Sequence, residues 1–574
     1  VRVRDGHRRG ALLLVALLIA GCAARETLPS TDAEPVTVQL LAFNDFHGYL
    51  EPPGALTLPD PGNADATVSL PAGGAAWLAG TIESLRAEHV RSLLVTAGDM
   101  VGASPMISAL FADEPTIEAL NLMGLAYAAV GNHEFDEGPA ELRRLQSGGC
   151  ADLPDKRSCV DGDFAGARFQ YLAANVFEKG AEDSFFPPYA IETVPLGGGE
   201  RLRIAFIGLV LEGTPEIVNP EAVAGLRFAD EAATANALVP ELKAKGADLI
   251  VALLHEGGEA EAEGGGACPG LRGAVVPILD ALNPAVEIVI SGHTHERYVC
   301  ERNGRLLTSA GSYGRLLTRI RLQVDPLSGG VLSRQAENLP VINDTAPVPA
   351  PFLAAAADPQ VGALVARYRD LAAPIVEREV GRVAGDLTRA TDDAGQSSLG
   401  ALIADALLAA MSGHDPDFAV LGSGGIRDDL LVGVSGVVRF GALKQVLPFG
   451  DQVVLLELTA AQLRALLARQ WRADGSRHLL QVSRGLEYAW RGNADAADAL
   501  IPGSIRVGGE PLREDARYRV VTSSFLAGGG DGFEVLEAAP RLARGPGDIE
   551  AVTAYLRAEA PRAVPDRDRV QRMP

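Results

Sequence analysis

The sequence predicts an α/β protein built from layered, largely parallel sheets. Three observations point there. The first is a series of short apolar runs of the kind that suit strands buried on both faces: Val36–Phe43, Ser92–Thr96, Tyr127–Val130, Leu202–Val210, Asp248–Leu254, Val286–Ile290, Leu306–Ser309 and Leu317–Val324. The second is the segment after each run, a turn rich in Gly, Asp, Asn and His and often an Ala/Leu/Glu-rich stretch of helical character. The third is length: 574 residues correspond to two to four cores at roughly 150 residues per domain.

In chain order, the first element is Ala11–Gly21, the only long apolar run. It is too short for a helix to cross a hydrocarbon core of about 30 Å. With Arg2, Arg4, Arg8 and Arg9 before it and Leu12–Ile19 as its apolar centre, it reads as a signal peptide. Its end, Ile19-Ala20-Gly21-Cys22, resembles the lipobox of bacterial lipoproteins, which implies cleavage before Cys22 and lipidation of its thiol. Ala23 in place of an aspartate resembles signals sent on to an outer membrane, if the organism has one.

The expected division follows from there. Residues 1–22 are signal peptide and lipobox, 23–35 a polar tether and 36–340 the first folded region. Residues 341–374 form a linker and hinge helix: Pro340–Pro351 is Pro-rich, Ala354–Ala357 follows, and a helix is expected over Gln360–Ala372, with the hinge for domain rotation near residues 345–372. A second region spans 375–558, with helices at Leu399–Met411 and Ala461–Arg469 and a strand at Tyr518–Ser523. Residues 559–574 read as a charged, frayed tail.

Composition narrows the functional classes. With 47% hydrophobic and 22% charged residues, disorder and collagen are excluded. Lys and Arg number 51 against 74 Asp and Glu, a net −23, and loss of residues 1–21 removes four arginines and one aspartate to leave −26. No basic stripe is present to displace counterions from a nucleic-acid polymer. An acidic protein that handles phosphate must supply positive charge locally, from metals or a few arginines. Four cysteines remain beside Cys22, an even number that favours disulfides in an exported chain. Three pairings are possible; Cys150 with Cys159 and Cys268 with Cys300 are favoured because each pair lies in one local region.

The chemistry is carried by strand ends. Five of nine histidines, His47, His133, His255, His293 and His295, directly follow expected strands of the first region. The strings are Phe43-Asn44-Asp45-Phe46-His47, Gly98-Asp99, Gly131-Asn132-His133-Glu134-Phe135-Asp136, Leu254-His255-Glu256 and Ser291-Gly292-His293-Thr294-His295. In open α/β sheets ligands bind at the carboxyl ends of strands. Mixed Asp, Asn and His donors suit Zn, Mn, Co and similar ions. Two such ions about 3.5–4 Å apart can clamp a phosphoryl group, and they need one shared carboxylate and about six further ligands. Asp45, His47, Asp99, Asn132, His255, His293 and His295 supply seven.

This set resembles the calcineurin-like metallophosphoesterases. Asn-Asp-Phe-His-Gly and Gly-Asn-His-Glu-Phe-Asp are similar to the exported 5′-nucleotidase / UDP-sugar hydrolase family, over roughly residues 36–558. The resemblance implies a four-layer β-sandwich with helices followed by a smaller α+β C-terminal domain. It implies that Asp45, His47 and His295 hold one divalent ion, that Asn132, His255 and His293 hold the other, and that Asp99 bridges them. His295 stands where many members have Gln or Asn, which puts the metal preference in question. It also implies a catalytic pair in which His133 stabilises developing charge or protonates the leaving oxygen and Asp136 orients its ring.

The second region extends the likeness. Gly422-Ser423-Gly424-Gly425-Ile426-Arg427 resembles the family's Gly-rich loop, whose arginine meets the anionic or ribose part of the substrate. Phe525–Phe533 resembles the segment whose aromatic stacks on the base and whose aspartate, here Asp531, bonds the ribose, and Leu447-Pro448-Phe449-Gly450 supplies the clamp's second face. Gly422 and Asp451 stand where relatives often carry Asn. A further family arginine falls at Asp393 without a gap, or at Arg389 if Thr391–Gly395 is an insertion.

The function so implied is two-metal hydrolysis of nucleoside 5′-phosphates, with UDP-sugars or 2′,3′-cyclic nucleotides as further substrates, for salvage. The expected partners are two divalent ions, a nucleotide-type small molecule and a membrane reached through Cys22, with no nucleic-acid polymer; the chain is expected to be monomeric and periplasmic or at the cell surface. Two alternatives stand beside it: a phosphatase or sulfur-ester hydrolase of the same superfamily acting on a non-nucleotide, and an adhesion lipoprotein with a vestigial core.

Overall fold

Strand Val36–Phe43 shows how the N-terminal region is built. Val38, Leu40 and Ala42 enter one core and Leu41 and Phe43 another, because successive side chains on a strand point to opposite faces. An apolar run with both faces buried must therefore lie inside a layered structure, where each fully buried Leu or Val contributes about 1.5–3 kcal/mol.

The computed structural model describes residues 34–574 except 154–155, 161, 261–266, 344–349, 351, 353, 473–476 and 493–497. The signal peptide, Cys22 and tether residues 23–33 lie outside the described residues.

Two six-stranded sheets form the inner layers. In the first, Val36–Phe43, Ser92–Thr96, Tyr127–Ala129 and Gln170–Leu172 run parallel, and Leu316–Val324 and Val331–Pro340 complete one edge antiparallel. In the second, Glu200–Val210, Leu249–His255, Val286–Ser291 and Arg305–Ala310 run parallel, with antiparallel strands Tyr189–Gly197 and Arg297–Arg302 at the edges. Leu40, Val95, Phe206, Val251 and Ile290 pack between the sheets. Helix Ala75–Glu88 packs through Leu78 and Ile82 on the outer side of the first sheet, and helices Glu231–Ala244 and Val275–Ala281 cover the second. The result is the four-layer order expected.

All eight expected strands are present, with ends within two residues. Four that flank them, Ala55–Asp60, Asn63–Pro71, Tyr189–Gly197 and Val331–Pro340, carry too many polar or turn residues to stand out in the sequence. Cys150 is bonded to Cys159 and Cys268 to Cys300.

The helix expected over Gln360–Ala372 runs Pro359–Val376. Val361, Val365, Tyr368 and Ala372 belong to the N-terminal core, so this helix is part of the first body, and the chain enters the C-terminal region after Val376. There a five-stranded sheet is ordered Leu480–Val482, Phe418–Gly422, Arg517–Ser523, Gln452–Thr459, Arg541–Gly547. Helices Ser398–Ala410 and Asp548–Ala558 cover one face and Ala460–Ala468 the other. The expectation of a frayed C-terminus is corrected: Val570–Met573 pairs parallel with Leu486–Arg491. Buried Arg569 anchors it, donating to Val482 O at 2.7 Å and to Asp405 Oδ2 at 2.7 Å.

Candidate active site

The carboxyl ends of the parallel strands in both N-terminal sheets meet at one edge. Asp45 and His47 follow Phe43, Asp99 follows Thr96, Asn132 follows Ala129, His255 ends its own strand, and His293 and His295 follow Ser291. Asp45, His47, Asp99, His293 and His295 all have positive φ, between 47° and 73°. Left-handed backbone is uncommon outside glycine and costs of order 1–3 kcal/mol in its strained forms. Five such residues on adjacent loops show a backbone bent to aim side chains inward.

The seven candidate ligands converge. Asp45, His47 and His295 form one cluster and Asp99, His255 and His293 a second, with ligand atoms mutually within 4.8 Å in each. Asp99 Oδ2 lies 3.1 Å from His255 Nε2 and 3.6 Å from His47 Nε2, between the clusters. Asn132 Oδ1 lies 3.1 Å from His255 Nε2 and 3.1 Å from His293 Nδ1. His295 Nε2 lies 3.4 Å from Asp45 Oδ1 and 3.1 Å from His47 Nε2.

The outer contacts set the tautomers. His47 Nδ1–H donates to Gly102 O at 2.9 Å and His255 Nδ1–H to Ala97 O at 2.7 Å, which leaves each Nε2 facing the clusters, the arrangement metal-bound imidazoles require. Asn44 Nδ2 donates to Asp45 Oδ2 at 2.7 Å. Glu134 is buried and accepts from the backbone N–H groups of Gly131, Asp99 and Met100 at 2.6, 2.9 and 2.7 Å, tying two strand-end loops together. Gly131 is required by this packing, since a Cβ there would fall on Asp99 Oδ1.

The electrostatics suit a cation. Burial pushes His47 down to about 3 and His293 to about 4, keeping both rings neutral with a lone pair available. At His255 burial acts downward too, but the Asp99 carboxylate outweighs it and raises the group to about 10. An imidazole so held must lose its proton to bind metal, so metal binding there would release protons. Converging imidazole nitrogens and carboxylates, with no Lys or Arg among them, match a divalent-ion site in donor type and number.

His133 lies beside these clusters. Its Nδ1 is 2.9 Å from Asp136 Oδ2, which also accepts from Ala103 N at 3.2 Å. Burial lowers His133, but Asp136 and Asp99 more than offset this and hold it above the ordinary histidine value.

A cavity of about 320 Å³ joins this centre to the C-terminal region, and His133, Asp136, Arg427, Phe449, Phe525 and Asp531 all line it. The C-terminal side chains come from a single sheet edge: Arg427 follows strand Phe418–Gly422, Phe449 precedes Gln452–Thr459, and Phe525 follows Arg517–Ser523. Asp451, noted in the sequence as a departure, has a defined place: its Oδ1 accepts from Ser524 Oγ at 2.6 Å and Phe525 N at 3.0 Å, fixing the Phe525 turn. Asp531 has φ 54° and is pushed up to about 6 by burial. Arg389 is the exception. It lines an adjoining cavity, not this one, and donates to the Arg427 carbonyl at 2.7 Å while its own N–H meets Asp429 Oδ1 at 2.6 Å. Arg389 thus braces the backbone of Arg427. Sequence reasoning did not single out Glu134, although it stands three residues after Gly131 within the Gly-Asn-His-Glu string.

This fold and ligand set define a metal-dependent phosphoric ester hydrolase. Residues 38–297 match the calcineurin-like phosphoesterase family and residues 379–538 the 5′-nucleotidase C-terminal domain, and the chain belongs to the family that joins the two. It is 30% identical over 542 residues to Endonuclease YhcR of Bacillus subtilis strain 168, covering 94% of this chain but 41% of that protein's length. It is 29% identical over 576 residues to the cell wall protein Lmo0130 of Listeria monocytogenes, covering 94% of this chain and 70% of that one. Among solved structures, a 5′-nucleotidase precursor from Thermus thermophilus matches with a TM-score of 0.72 and 25% identity, over 94% of this chain and 99% of that one. No helix among the described residues is long and apolar enough to cross a membrane.

Proposed function

We propose that the protein hydrolyses nucleoside 5′-phosphates to nucleoside and phosphate, using two divalent ions. One observation carries this: a single cavity is lined by the candidate metal and His133 side chains and by two aromatic rings, Phe449 and Phe525. In this reading Asp45, His47 and His295 hold one ion, Asn132, His255 and His293 the other, and Asp99 is shared. When bound, two such ions neutralise phosphoryl charge and lower the pKa of a water to about 7.

The chain's own groups do the rest. Phe449 and Phe525 take the base between their faces, a mode that tolerates any base. Arg427 meets the phosphate or ribose, and the Asp531 carboxylate accepts from ribose hydroxyls. His133, aligned by Asp136, gives a proton to the departing 5′-oxygen. UDP-sugars and 2′,3′-cyclic nucleotides fit the same cleft as further substrates. Rotation of residues 375–558 against residues 36–340 would admit and release them. Export with a lipid on Cys22, a monomeric state and a role in salvage complete the proposal; the cell-wall relative is consistent with export.

The test is phosphate release from a panel of esters by metal-stripped protein reconstituted with Zn, Mn, Co or Mg. Nucleoside 5′-phosphates should be the best substrates. Preference for a non-nucleotide ester, a sulfur ester or a polynucleotide would replace the proposal.

A further inference from the structure

Two carboxyl groups, Asp451 and Asp548, line the cavity that holds Phe449 and Phe525. Asp451 follows Phe449 by two residues, and its Oδ1 accepts from Phe525 N at 3.0 Å and from Ser524 Oγ at 2.6 Å. It therefore sits between the backbone segments that carry the two rings. Asp548 is tied to the same place: its N–H donates to Asp451 O at 2.8 Å, and Gly547 before it pairs with Gln452.

Asp548 opens the helix Asp548–Ala558, where the helix dipole favours an acid. An exposed side chain would serve that purpose. Asp548 is instead 6% exposed and lines the cavity together with apolar Ile403, Leu407, Leu447 and Val453. Its Oδ1 accepts from Ile549 N at 2.7 Å. A carboxylate has about four acceptor sites, so the contacts named leave acceptor capacity on both groups. Burial pushes Asp548 up to about 7, with Asp451 adding to the rise, and burial raises Asp451 as well, while Lys444 acts the other way on both. Carboxylates so enclosed gain from a ligand that brings N–H groups to them.

A base stacked between the two rings turns its edge toward whatever fills the end of the clamp. Stacking is indifferent to the base, so choice among bases falls to hydrogen bonds at that edge. Ionised carboxylates present acceptors only, where an asparagine at 451 would present a donor as well. Guanine offers two adjacent donors, N1–H and the 2-amino group. Adenine and cytosine set one amino group beside a ring-nitrogen acceptor, and uracil sets one N–H between two carbonyls, so each brings a lone pair against a carboxylate oxygen. We infer that Asp451 and Asp548 are specificity residues that read the edge of the base held by Phe449 and Phe525, and that they select guanine nucleotides.

On the nucleotidase reading, on which this rests, metal-loaded wild-type protein should show a kcat/KM for GMP above those for AMP, CMP and UMP by about tenfold or more, the range for a bidentate base contact. In Asp548→Asn the ratio of GMP to AMP should fall about fivefold or more, and Asp451→Asn should move it in the same direction. A purely structural role in holding the Phe525 turn would lower both substrates together and leave the ratio alone. A wild type without preference for GMP, or a ratio unchanged in both variants, overturns the inference. If wild-type protein hydrolyses no nucleotide, the nucleotidase reading fails by itself. Calorimetric titration with guanosine and adenosine then decides: tighter binding of guanosine that is lost in Asp548→Asn upholds the base contact, and equal affinities or no binding remove it.

Discussion

The ring of Phe449 lies parallel to the imidazole of His133, with centroids 5.7 Å apart and planes 10° from coplanar. One comes from the C-terminal region and the other from a strand end of the N-terminal sheets, so the two halves meet on the group proposed to serve the leaving oxygen. Phe449 is nonetheless 40% exposed, which leaves its ring free to turn to a base. Base–aromatic stacking contributes about 1–3 kcal/mol by alanine substitution. Phe449→Ala and Phe525→Ala are each expected to lower kcat/KM for AMP by about 10–100-fold and to leave ribose 5-phosphate within a few-fold. Steady-state assays on both esters check this; equal losses on both would assign the rings to packing.

His133→Ala should lower kcat by roughly 10²–10⁴-fold, the range for a positioned proton donor, with metal content unchanged by elemental analysis. Asp136→Asn removes the carboxylate that aligns the ring at 2.9 Å and should cost about 10–100-fold, as loss of an orienting partner does.

Asp531 gives a pH dependence. Burial raises its pKa to about 6, so the group is neutral below that pH and a carboxylate above it. A carboxylate accepts from two ribose hydroxyls better than the neutral acid does, so KM for a nucleotide should rise as pH falls through about 6. In Asp531→Asn the KM profile should be flat across that range and high throughout. A wild-type profile without the inflection would remove Asp531 from the ribose contact.

Glu134 and Gly131 hold together the loops that carry the candidate metal ligands. Glu134→Gln places an amide N–H₂ against backbone donors from Gly131, Asp99 and Met100; leaving such buried groups unpaired costs about 1–3 kcal/mol. Gly131→Ala drives a methyl into Asp99 Oδ1. Both should weaken metal binding by about 10–100-fold, read by competition with a chromogenic chelator, and Glu134→Gln should also lower the melting temperature.

How much of this was legible depends on where each residue's neighbours lie in the chain. The convergence of the candidate ligands could be read because each sits at or just after the end of a strand whose apolar run is visible, and strand direction does the rest. The disulfides were legible because both pairs are local. Arg389 was not, because its position depends on the path of the Thr391–Gly395 loop and on Asp429, which holds its backbone. The attachment of the helix Pro359–Val376 depends on Val361 and Tyr368 meeting helices hundreds of residues earlier. The C-terminal strand is held by Arg569 reaching Asp405 and Val482, which no local pattern in residues 559–574 announces.

The central claim is that two ions, shared through Asp99, act on a nucleotide. Metal-stripped protein titrated with Mn²⁺ or Zn²⁺, with phosphate release from AMP followed at each addition, tests it most directly. Activity should appear mainly with the second equivalent, level off at two ions per chain, and be lost in Asp99→Asn. Full activity at one equivalent, or no release of phosphate from AMP at any loading, would contradict it.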